Sequence, residues 1–188
     1  ANIDFKIDSC QEHLFPKMSI KVKSYLIKLD AGYIDPTKDS GIHLSPEEFY
    51  QMMNEEDSII LDVRSNYETY VGRFRNSVTL DIDKFYHFPD KIKQHELYLD
   101  QSNHNKKILT YCTGGIKCET ASAYLKQLGF KNVYQLHGGI IKYGIEQQGK
   151  DFDGKCYVFD GRITKNVNTI NPNNITKCLI CEIDCDVM

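Results

Sequence analysis

The stretch KKILTYCTGGIKCE, residues 106–119, carries the strongest signal of the fold in this sequence. A β-branched and aromatic run ends at Cys112, and a glycine-rich turn follows directly. Apolar residues then recur at helical spacing from Ala121 to Leu128, so the pattern predicts a strand, a tight loop and a helix. In such a turn a thiol at the strand end faces the backbone N–H groups of the loop and the positive end of the helix.

That environment favours a thiolate over a thiol, so we predict that Cys112 is a catalytic nucleophile. Converging N–H groups also bind an oxyanion or a terminal sulfur, and glycines let the backbone curl around it. The alternative interpretation is a buried cysteine that ends a core strand. The predicted substrate-binding loop consists of Thr113, Gly114, Gly115, Ile116 and Lys117.

Composition limits the classes of protein to which the chain can belong. Its 188 residues suffice for one core with extensions. A net charge of −3 speaks against a globally basic nucleic-acid binder, although a local basic face is compatible with it. We find no apolar run of membrane-spanning length and no signal peptide, so a membrane partner is not expected and the cytoplasm is the expected location. The sequence does not indicate an oligomeric state.

The seven cysteines are odd in number and unevenly placed. This distribution does not fit the even disulfide framework of a small secreted domain. Reduced thiols with chemical roles in the cytosol fit it better. Three of them, Cys178, Cys181 and Cys185, crowd the end of the chain and offer three zinc ligands, one fewer than a closed structural site requires.

Strand and helix signals alternate along most of the chain. Ile20 to Ile27 alternates like a half-buried strand, and Ser45 to Glu48 forms a capping box with proline in the first turn. Further strands are predicted at residues 58–63, 77–80 and 132–136, and helices at 85–99, with an interruption at Pro89, and at 140–148. Residues 151–162 are typical of a hairpin or an edge strand.

Alternating strands and helices with short connections predict an α/β fold, with a parallel sheet covered by helices on both faces. The working site of such a fold lies beyond the carboxyl ends of the strands. Asp62 and Arg64, Cys112, and Gly138 with Gly139 all follow strands, so we expect them to meet at one site. Asp62 and Arg64 are supporting residues, either as an ion pair that braces the loop or as groups that reach the substrate.

The loop also separates classes of reaction. Cysteine-dependent phosphatases clamp phosphate with an arginine six positions after the cysteine, where this chain has Cys118. Residue chemistry therefore favours a sulfurtransferase that carries a persulfide on Cys112. Cys118 is either a resolving thiol for oxidised Cys112 or a packed thiol. Lys117 either binds a substrate phosphate, lowers the pKa of Cys112 or is simply solvated.

The pattern resembles the rhodanese domain over residues 41–148. Residues 61–64 with Tyr67, Glu68 and Gly72 are similar to the first signature of that family, residues 112–117 to its active-site loop, and residues 133–140 to its last signature. Tyr143 stands where many rhodaneses have tryptophan.

A narrower resemblance covers residues 111–119 and 156–162, which are similar to the rhodanese-domain tRNA uridine hydroxylases. This resemblance implies hydroxylation of uridine 34 in the tRNA anticodon to 5-hydroxyuridine, with molecular oxygen as co-substrate. It also implies a partial, ferredoxin-like amino-terminal remnant at 1–40, a catalytic domain at 41–149 and a cysteine-rich extension at 150–188. Lys117 departs from the usual arginine, which loses bidentate recognition of an anion.

Three functional hypotheses follow. The first is the tRNA hydroxylase, in which Cys112 attacks the uracil ring or carries an oxidised sulfur; the second is a sulfurtransferase with a sulfur donor or acceptor as partner. The third, a non-catalytic rhodanese module that binds proteins, is disfavoured by the intact Cys112 loop. We find no ligand set for iron, flavin or haem, so no cofactor is expected apart from the candidate structural zinc in the tail.

Overall fold

The computed structural model describes residues 14–15, 17–18 and 20–173. Cys10 and the three predicted zinc ligands Cys178, Cys181 and Cys185 lie outside the described residues.

Short strands form the framework of the described chain. They are β1 (Ile42–Leu44), β2 (Ser58–Asp62), β3 (Gly72–Phe74), β4 (Val78–Thr79), β5 (Lys107–Tyr111), β6 (Asn132–Leu136), β7 (Phe152–Gly154), β8 (Cys156–Tyr157) and β9 (Thr164–Lys165). Five of them pair in parallel in the order β1-β6-β5-β2-β4, with Leu61 opposite Thr110 and Leu109 opposite Tyr134. The strand that ends at the Cys112 loop is therefore the central strand.

Helices cover both faces of this sheet. They are α1 (Pro36–Asp39), α2 (Pro46–Met52), α3 (Asn66–Thr69), α4 (Phe88–Gln94), α5 (Glu96–Leu99), α6 (Ile116–Gln127) and α7 (Gly139–Glu146), with 3-10 turns at Phe85–His87 and Gln101–Asn105. Neighbouring strand residues alternate between two apolar cores. Leu61 and Ile108 face the core that contains residues of α4 to α6, whereas Ile60 and Leu109 face that of α2 and α7. This confirms the predicted parallel sheet covered on both faces.

The capping box read from the sequence correctly predicted the start of α2. Ser45 accepts a hydrogen bond from the Glu48 N–H, and the Glu48 carboxylate accepts one from the Ser45 N–H, which completes the predicted capping box of α2. The helix predicted at 85–99 is interrupted twice. The 3-10 turn ends at His87 and α4 begins at Phe88 with Pro89 in its first turn, where a missing N–H costs nothing, so the predicted interruption lies at the start of α4. The second break, at His95, was not predicted.

The predicted strand from Ile20 to Ile27 is also wrong. The described backbone there is irregular, and Val22 is fully exposed. A strand needs a partner for its N–H and C=O groups, and no strand of the described chain pairs with this segment. The alternation of apolar residues was therefore not sufficient to predict a strand.

The segment after α7 packs back on the domain. β7 pairs antiparallel with β3, and β8 pairs antiparallel with β9 to form the hairpin. Arg75 Nη1 contacts Asp151 Oδ1 at 2.7 Å, which joins this segment to the turn after β3. Among the described residues, no helix is long and apolar enough to cross a bilayer.

Candidate active site

The Cys112 loop begins where the central strand β5 ends. Tyr111 still pairs with Asp62 of β2, and the next residue, Cys112, turns into the loop with only 2% of its surface exposed. The strand ends in the core because Leu109 and Tyr111 are buried in one apolar core and Ile108 in the other. Strand pairing and core packing therefore fix the position of the Cys112 thiol, independently of the loop that follows.

The start of α7 holds the carbonyl groups of the loop. The N–H of Ile140 donates to the Cys112 carbonyl at 3.0 Å, and the N–H of Ile141 donates to the Thr113 carbonyl at 3.2 Å. Gly139 makes this approach possible, because a Cβ on it would lie 2.5 Å from the Cys112 carbonyl oxygen. It also has a φ of +66°, which suits glycine. With its carbonyls held on one side, the loop turns its N–H groups toward the sulfur.

These N–H groups meet at the Sγ atom of Cys112. The Gly115 N–H donates to Sγ at 3.1 Å, and the N–H groups of Lys117 and Cys118 also hydrogen-bond to it. Gly115, with a φ of +90°, is the N-cap of α6, and no side chain caps that helix. The sulfur therefore takes the position that a capping side chain normally fills, at the positive end of the helix dipole.

This arrangement stabilises the thiolate of Cys112. Burial by itself raises the pKa of the thiol. The hydrogen bond from the Cys118 thiol, the N–H groups of Cys118 and Lys117, and the Lys117 charge outweigh it and lower the pKa to about 6. At neutral pH, a thiol with this pKa is mostly a thiolate, the nucleophilic form of cysteine.

Lys117 and Glu68 form a charged pair at the edge of the loop. The Lys117 ammonium contacts Glu68 Oε2, and the side chain of Glu68 is fully buried. Glu68 Oε2 also accepts from the Ser65 N–H at 3.0 Å, and Glu68 Oε1 accepts from the Thr113 hydroxyl at 3.3 Å. Because the Lys117 charge is paired with Glu68 and contributes to the low pKa of Cys112, this geometry favours the electrostatic role of Lys117 over phosphate binding.

Asp62 and Arg64 form a second, fully buried ion pair. Arg64 Nη2 lies 2.7 Å from Asp62 Oδ2 and 2.6 Å from the Gly72 carbonyl oxygen. Arg64 also lies over the Tyr111 and Phe152 rings, with its guanidinium carbon 5.5 Å and 5.8 Å from their centroids. The pair therefore links the end of β2 to the start of β3. An ion pair was one of the two alternatives considered for these residues, but the contacts join it to β3, whereas the prediction was that it braces the Cys112 loop.

The three cysteines that the structure describes are free thiols with different environments. Burial, together with the hydrogen bond to Cys112, raises the pKa of Cys118 well above its usual range. Burial raises the pKa of Cys156 to about 12, although Arg64 opposes that rise. Cys112 is thus the one described thiol that ionises near neutral pH, and Cys118 is a neutral donor to it.

The structure brings together Cys112, the loop that follows it and Cys118, and it places the Asp62–Arg64 pair at the neighbouring strand end. Ile116 is the exposed member of the loop. Within the described residues, no group of three or more His, Cys, Asp or Glu side chains is arranged to hold a metal ion. The predicted zinc ligands lie outside those residues, so the zinc site stays a prediction.

Sequence reasoning missed two partners of the loop. Glu68 was noted as part of the first family signature and not as a partner of the loop, although a Ser65-x-x-Glu68 capping box next to a strand end indicates a carboxylate held near the site. The Tyr157 carbonyl oxygen lies 3.5 Å from the Thr113 hydroxyl. No local signal predicts that second contact, because 44 residues separate the two partners.

Comparison with known proteins identifies the family of the domain. The family model described as "Rhodanese-like domain" matches residues 45–146. A protein of Cytophaga hutchinsonii named tRNA uridine(34) hydroxylase is 54% identical over 179 residues, which cover 95% of this chain and 56% of that protein. A protein of the same name from Onion yellows phytoplasma is 48% identical over 171 residues, covering 89% of this chain and 54% of that protein.

The chain thus spans about half the length of the curated relatives that it matches. Among solved structures, the Alr3790 protein from Anabaena sp. aligns with a TM-score of 0.48 at 18% identity, over 59% of this chain and 91% of that one.

Proposed function

The chain belongs to the rhodanese-like family, and from this premise we propose that it catalyses the hydroxylation of uridine 34 in tRNA, with Cys112 as the nucleophile. The observation that carries the proposal is the convergence of N–H groups on the Cys112 sulfur, with the Gly115 N–H 3.1 Å from Sγ. The N–H groups of α6 and the Cys118 thiol lower the pKa of Cys112 to about 6. Relatives that share 39–54% of their aligned residues with this chain are named for that reaction. The tRNA anticodon as partner, molecular oxygen as co-substrate and a cytoplasmic location belong to the same proposal.

The chemistry starts from the thiolate. Addition of the Cys112 sulfur to C6 of the uracil ring forms a C–S bond and moves electron density to C5. The C5 electron pair then forms a C–O bond to molecular oxygen, which gives a C5 hydroperoxide after protonation. The O–O bond breaks when a dithiol reductant from outside the protein supplies two electrons and two protons, so that C5 keeps a hydroxyl group and the other oxygen atom leaves as water. Loss of the C5 proton and departure of the thiolate then restore both the ring and Cys112. A sulfur with a pKa near 6 suits both steps, because it is ionised at neutral pH and leaves readily.

The surrounding residues have supporting roles in this proposal. Thr113 to Lys117 form the cradle, in which backbone N–H groups stabilise negative charge on sulfur. Lys117 supplies positive charge near the sulfur. The neutral Cys118 thiol donates a hydrogen bond to the ionised Cys112 sulfur. Asp62 and Arg64 keep the neighbouring strand end rigid.

A persulfide-carrying sulfurtransferase is the second candidate, because the same N–H groups would stabilise a terminal sulfur on Cys112. The Gly115 N–H, 3.1 Å from Sγ, is the contact that favours it. A non-catalytic module is not favoured, since it has no use for a thiol that is ionised at neutral pH.

Nucleoside analysis of tRNA tests the hydroxylase proposal. In cells that lack the gene encoding this chain, we expect 5-hydroxyuridine and its derivatives to disappear, and to return with the wild-type gene but not with Cys112→Ser. A gene carrying Cys156→Ala is the matched control, because it removes a buried thiol with a pKa of about 12. Unchanged modification in the deletion strain would contradict the proposal.

The second candidate has its own assay. The purified protein, incubated with thiosulfate and cyanide, should form thiocyanate if Cys112 carries a persulfide. The absence of turnover with thiosulfate and with other sulfane donors would contradict sulfur transfer, and the hydroxylase proposal would then stand alone.

A further inference from the structure

Three aromatic side chains form a continuous surface beside the Cys112 loop. The Tyr67 and Tyr157 ring centroids lie 5.1 Å apart, and those of Tyr157 and Phe159 lie 5.2 Å apart. We refer to Tyr67, Tyr157 and Phe159 as the aromatic rim. Tyr67 is 46% exposed and Phe159 is 57% exposed, so these two rings present apolar surface to solvent.

The rim is attached to the catalytic loop at two points. The Thr113 hydroxyl lies 3.5 Å from the Tyr157 carbonyl oxygen, and the Lys117 ammonium lies 5.5 Å from the centre of the Phe159 ring. Tyr67 also precedes Glu68, the carboxylate that pairs with Lys117. The rim therefore borders the cradle that holds the sulfur.

Backbone pairing fixes the position of the rim. Tyr157 of β8 pairs with Thr164 of β9, and the Val158 N–H donates to the Ile163 carbonyl at 2.8 Å. Within the turn, Arg162 Nη2 lies 2.7 Å from Asp160 Oδ2. This pairing holds the Phe159 ring at the surface, next to the Cys112 loop. Because the ring is exposed, it contributes little to the apolar core.

The character of this surface indicates the kind of group that it binds. It offers aromatic faces, while the adjacent cation Lys117 is paired with the buried Glu68 carboxylate. A backbone phosphate would require an available charge, whereas a nucleobase requires a π-face on which to stack. Bases of single-stranded RNA loops are recognised in this way, on aromatic side chains.

We propose that the aromatic rim binds the reacting uracil base by stacking and so places it against Cys112. This inference rests on the proposed function, since it assigns a binding site to the uridine of that reaction. Phe159 and Tyr67 are the stacking residues. Tyr157 is the positioning residue that joins both rings to Thr113.

The experiment compares two RNAs. An anticodon stem–loop with uridine at position 34 and the same RNA with an abasic site at 34 are titrated into the purified product of the gene. We expect Phe159→Leu and Tyr67→Leu each to weaken binding of the uridine RNA about tenfold, since loss of one stacking ring costs roughly that factor or more. The abasic RNA should bind these variants and the wild type equally.

Two further variants make the result specific. Phe159→Trp restores a π-face and should restore uridine binding, whereas leucine supplies only apolar area. Tyr70→Leu removes a ring that is 60% exposed and lies three residues after Tyr67, and it should bind both RNAs like the wild type. Unchanged absorbance of the Cys112 thiolate in Phe159→Leu would show that the cradle is intact.

The outcomes separate this inference from the proposed function. Equal weakening of both RNAs, or no weakening of either, would overturn the stacking role while leaving the function of Cys112 untouched. The second of these results is also the one expected if the rim binds a protein partner instead. Failure of the wild-type protein to bind either RNA would overturn the stacking inference and count against the tRNA substrate itself.

Discussion

Helices α6 and α7 begin in the same way and perform different tasks. Each has an N-cap glycine with a left-handed backbone, Gly115 with a φ of +90° and Gly138 with a φ of +77°, and neither has a side-chain cap. The N–H groups at the start of α6 point at the Cys112 sulfur, whereas those of α7 donate to the Cys112 and Thr113 carbonyls. One helix start stabilises the thiolate, and the other holds the loop.

The difference shows that a glycine-capped helix start has no function by itself. Its N–H groups take the acceptor that the neighbouring chain offers, because unpaired donors at a helix start must be satisfied. At α6 the acceptor is a sulfur that can ionise. At α7 it is backbone carbonyl oxygen, which cannot ionise, so α7 contributes rigidity and no charge stabilisation at the sulfur.

The largest expected effect comes from disturbing the contact between the start of α7 and the Cys112 loop. In Gly139→Ala, the new Cβ would lie 2.5 Å from the Cys112 carbonyl oxygen and 2.6 Å from the Thr113 carbonyl oxygen. Both are backbone atoms of the loop, and the residue also has a φ of +66°. We expect a loss of about 3 to 5 kcal/mol in the free energy of unfolding, as the sum of overlap and backbone strain. Urea unfolding measures it.

Gly32→Ala is the matched control for this prediction. Gly32 has a φ of +74°, and a Cβ on it would meet no atom within 4 Å. It should therefore lose only about 1 kcal/mol, the cost of the backbone conformation alone, with normal Cys112 ionisation. Equal losses in the two variants would show that α7 does not hold the loop sterically.

The framework of this comparison could be predicted from the sequence. The strands at residues 58–62, 107–111 and 132–136, the two glycine turns and the capping box at Ser45 are local patterns, and short-range interactions decide them. The prediction of a strand from Ile20 to Ile27 failed because a strand needs a partner strand, and no strand among the described residues pairs with this segment.

The Cys112 loop could also be predicted from the sequence, but the distant residues that contact it could not. Cys112 and the five residues after it lie in one continuous segment, so the sequence indicated the cradle directly. The Lys117–Glu68 pair spans 49 residues, and the Thr113–Tyr157 contact spans 44. Contacts at such separations depend on the sheet order, which follows from the whole fold and from no local pattern.

The next largest effect concerns the charge at the start of α6. In Lys117→Met, the donors that the buried Glu68 carboxylate keeps among the described residues are the Ser65 N–H and the Thr113 hydroxyl. We expect a loss of about 2 to 3 kcal/mol in the free energy of unfolding, because an unpaired buried charge is costly. The pKa of Cys112 should rise, since Lys117 lowers it in the wild type.

Lys117→Arg is the control for that variant, because it keeps the positive charge near Glu68 and the sulfur. Urea unfolding and the pH dependence of thiolate absorbance measure the two effects. A wild-type pKa of Cys112 in Lys117→Met would mean that the amides of α6 stabilise the thiolate without help from the side chain.

The smallest effect separates the two roles considered for Cys118. Cys118→Ala removes the thiol that donates to the Cys112 sulfur, whereas Cys118→Ser keeps a donor and removes any redox role. We expect the midpoint of Cys112 ionisation to rise from about 6 by about one pH unit in Cys118→Ala, because a hydrogen bond to a charged group contributes about 1.5 kcal/mol. In Cys118→Ser, the midpoint should stay close to that of the wild type. The difference in ultraviolet thiolate absorbance between each variant and the same variant with Cys112→Ser gives the midpoint.

Stability must follow the same titration. The folded pKa of Cys112, about 6, lies below its ordinary value of 9.0, so ionisation favours the folded protein fully above pH 9, and the gain is lost as the pH falls toward 6. Wild type should therefore gain more stability than Cys112→Ser between pH 6 and pH 9, and Cys118→Ala should gain less than wild type.

If Cys118→Ser loses tRNA modification in cells while its ionisation midpoint is unchanged, Cys118 acts as a resolving thiol. If it retains modification, the helix start at α6 uses Cys118 as one more donor to the sulfur, a contribution that the start of α7 does not make.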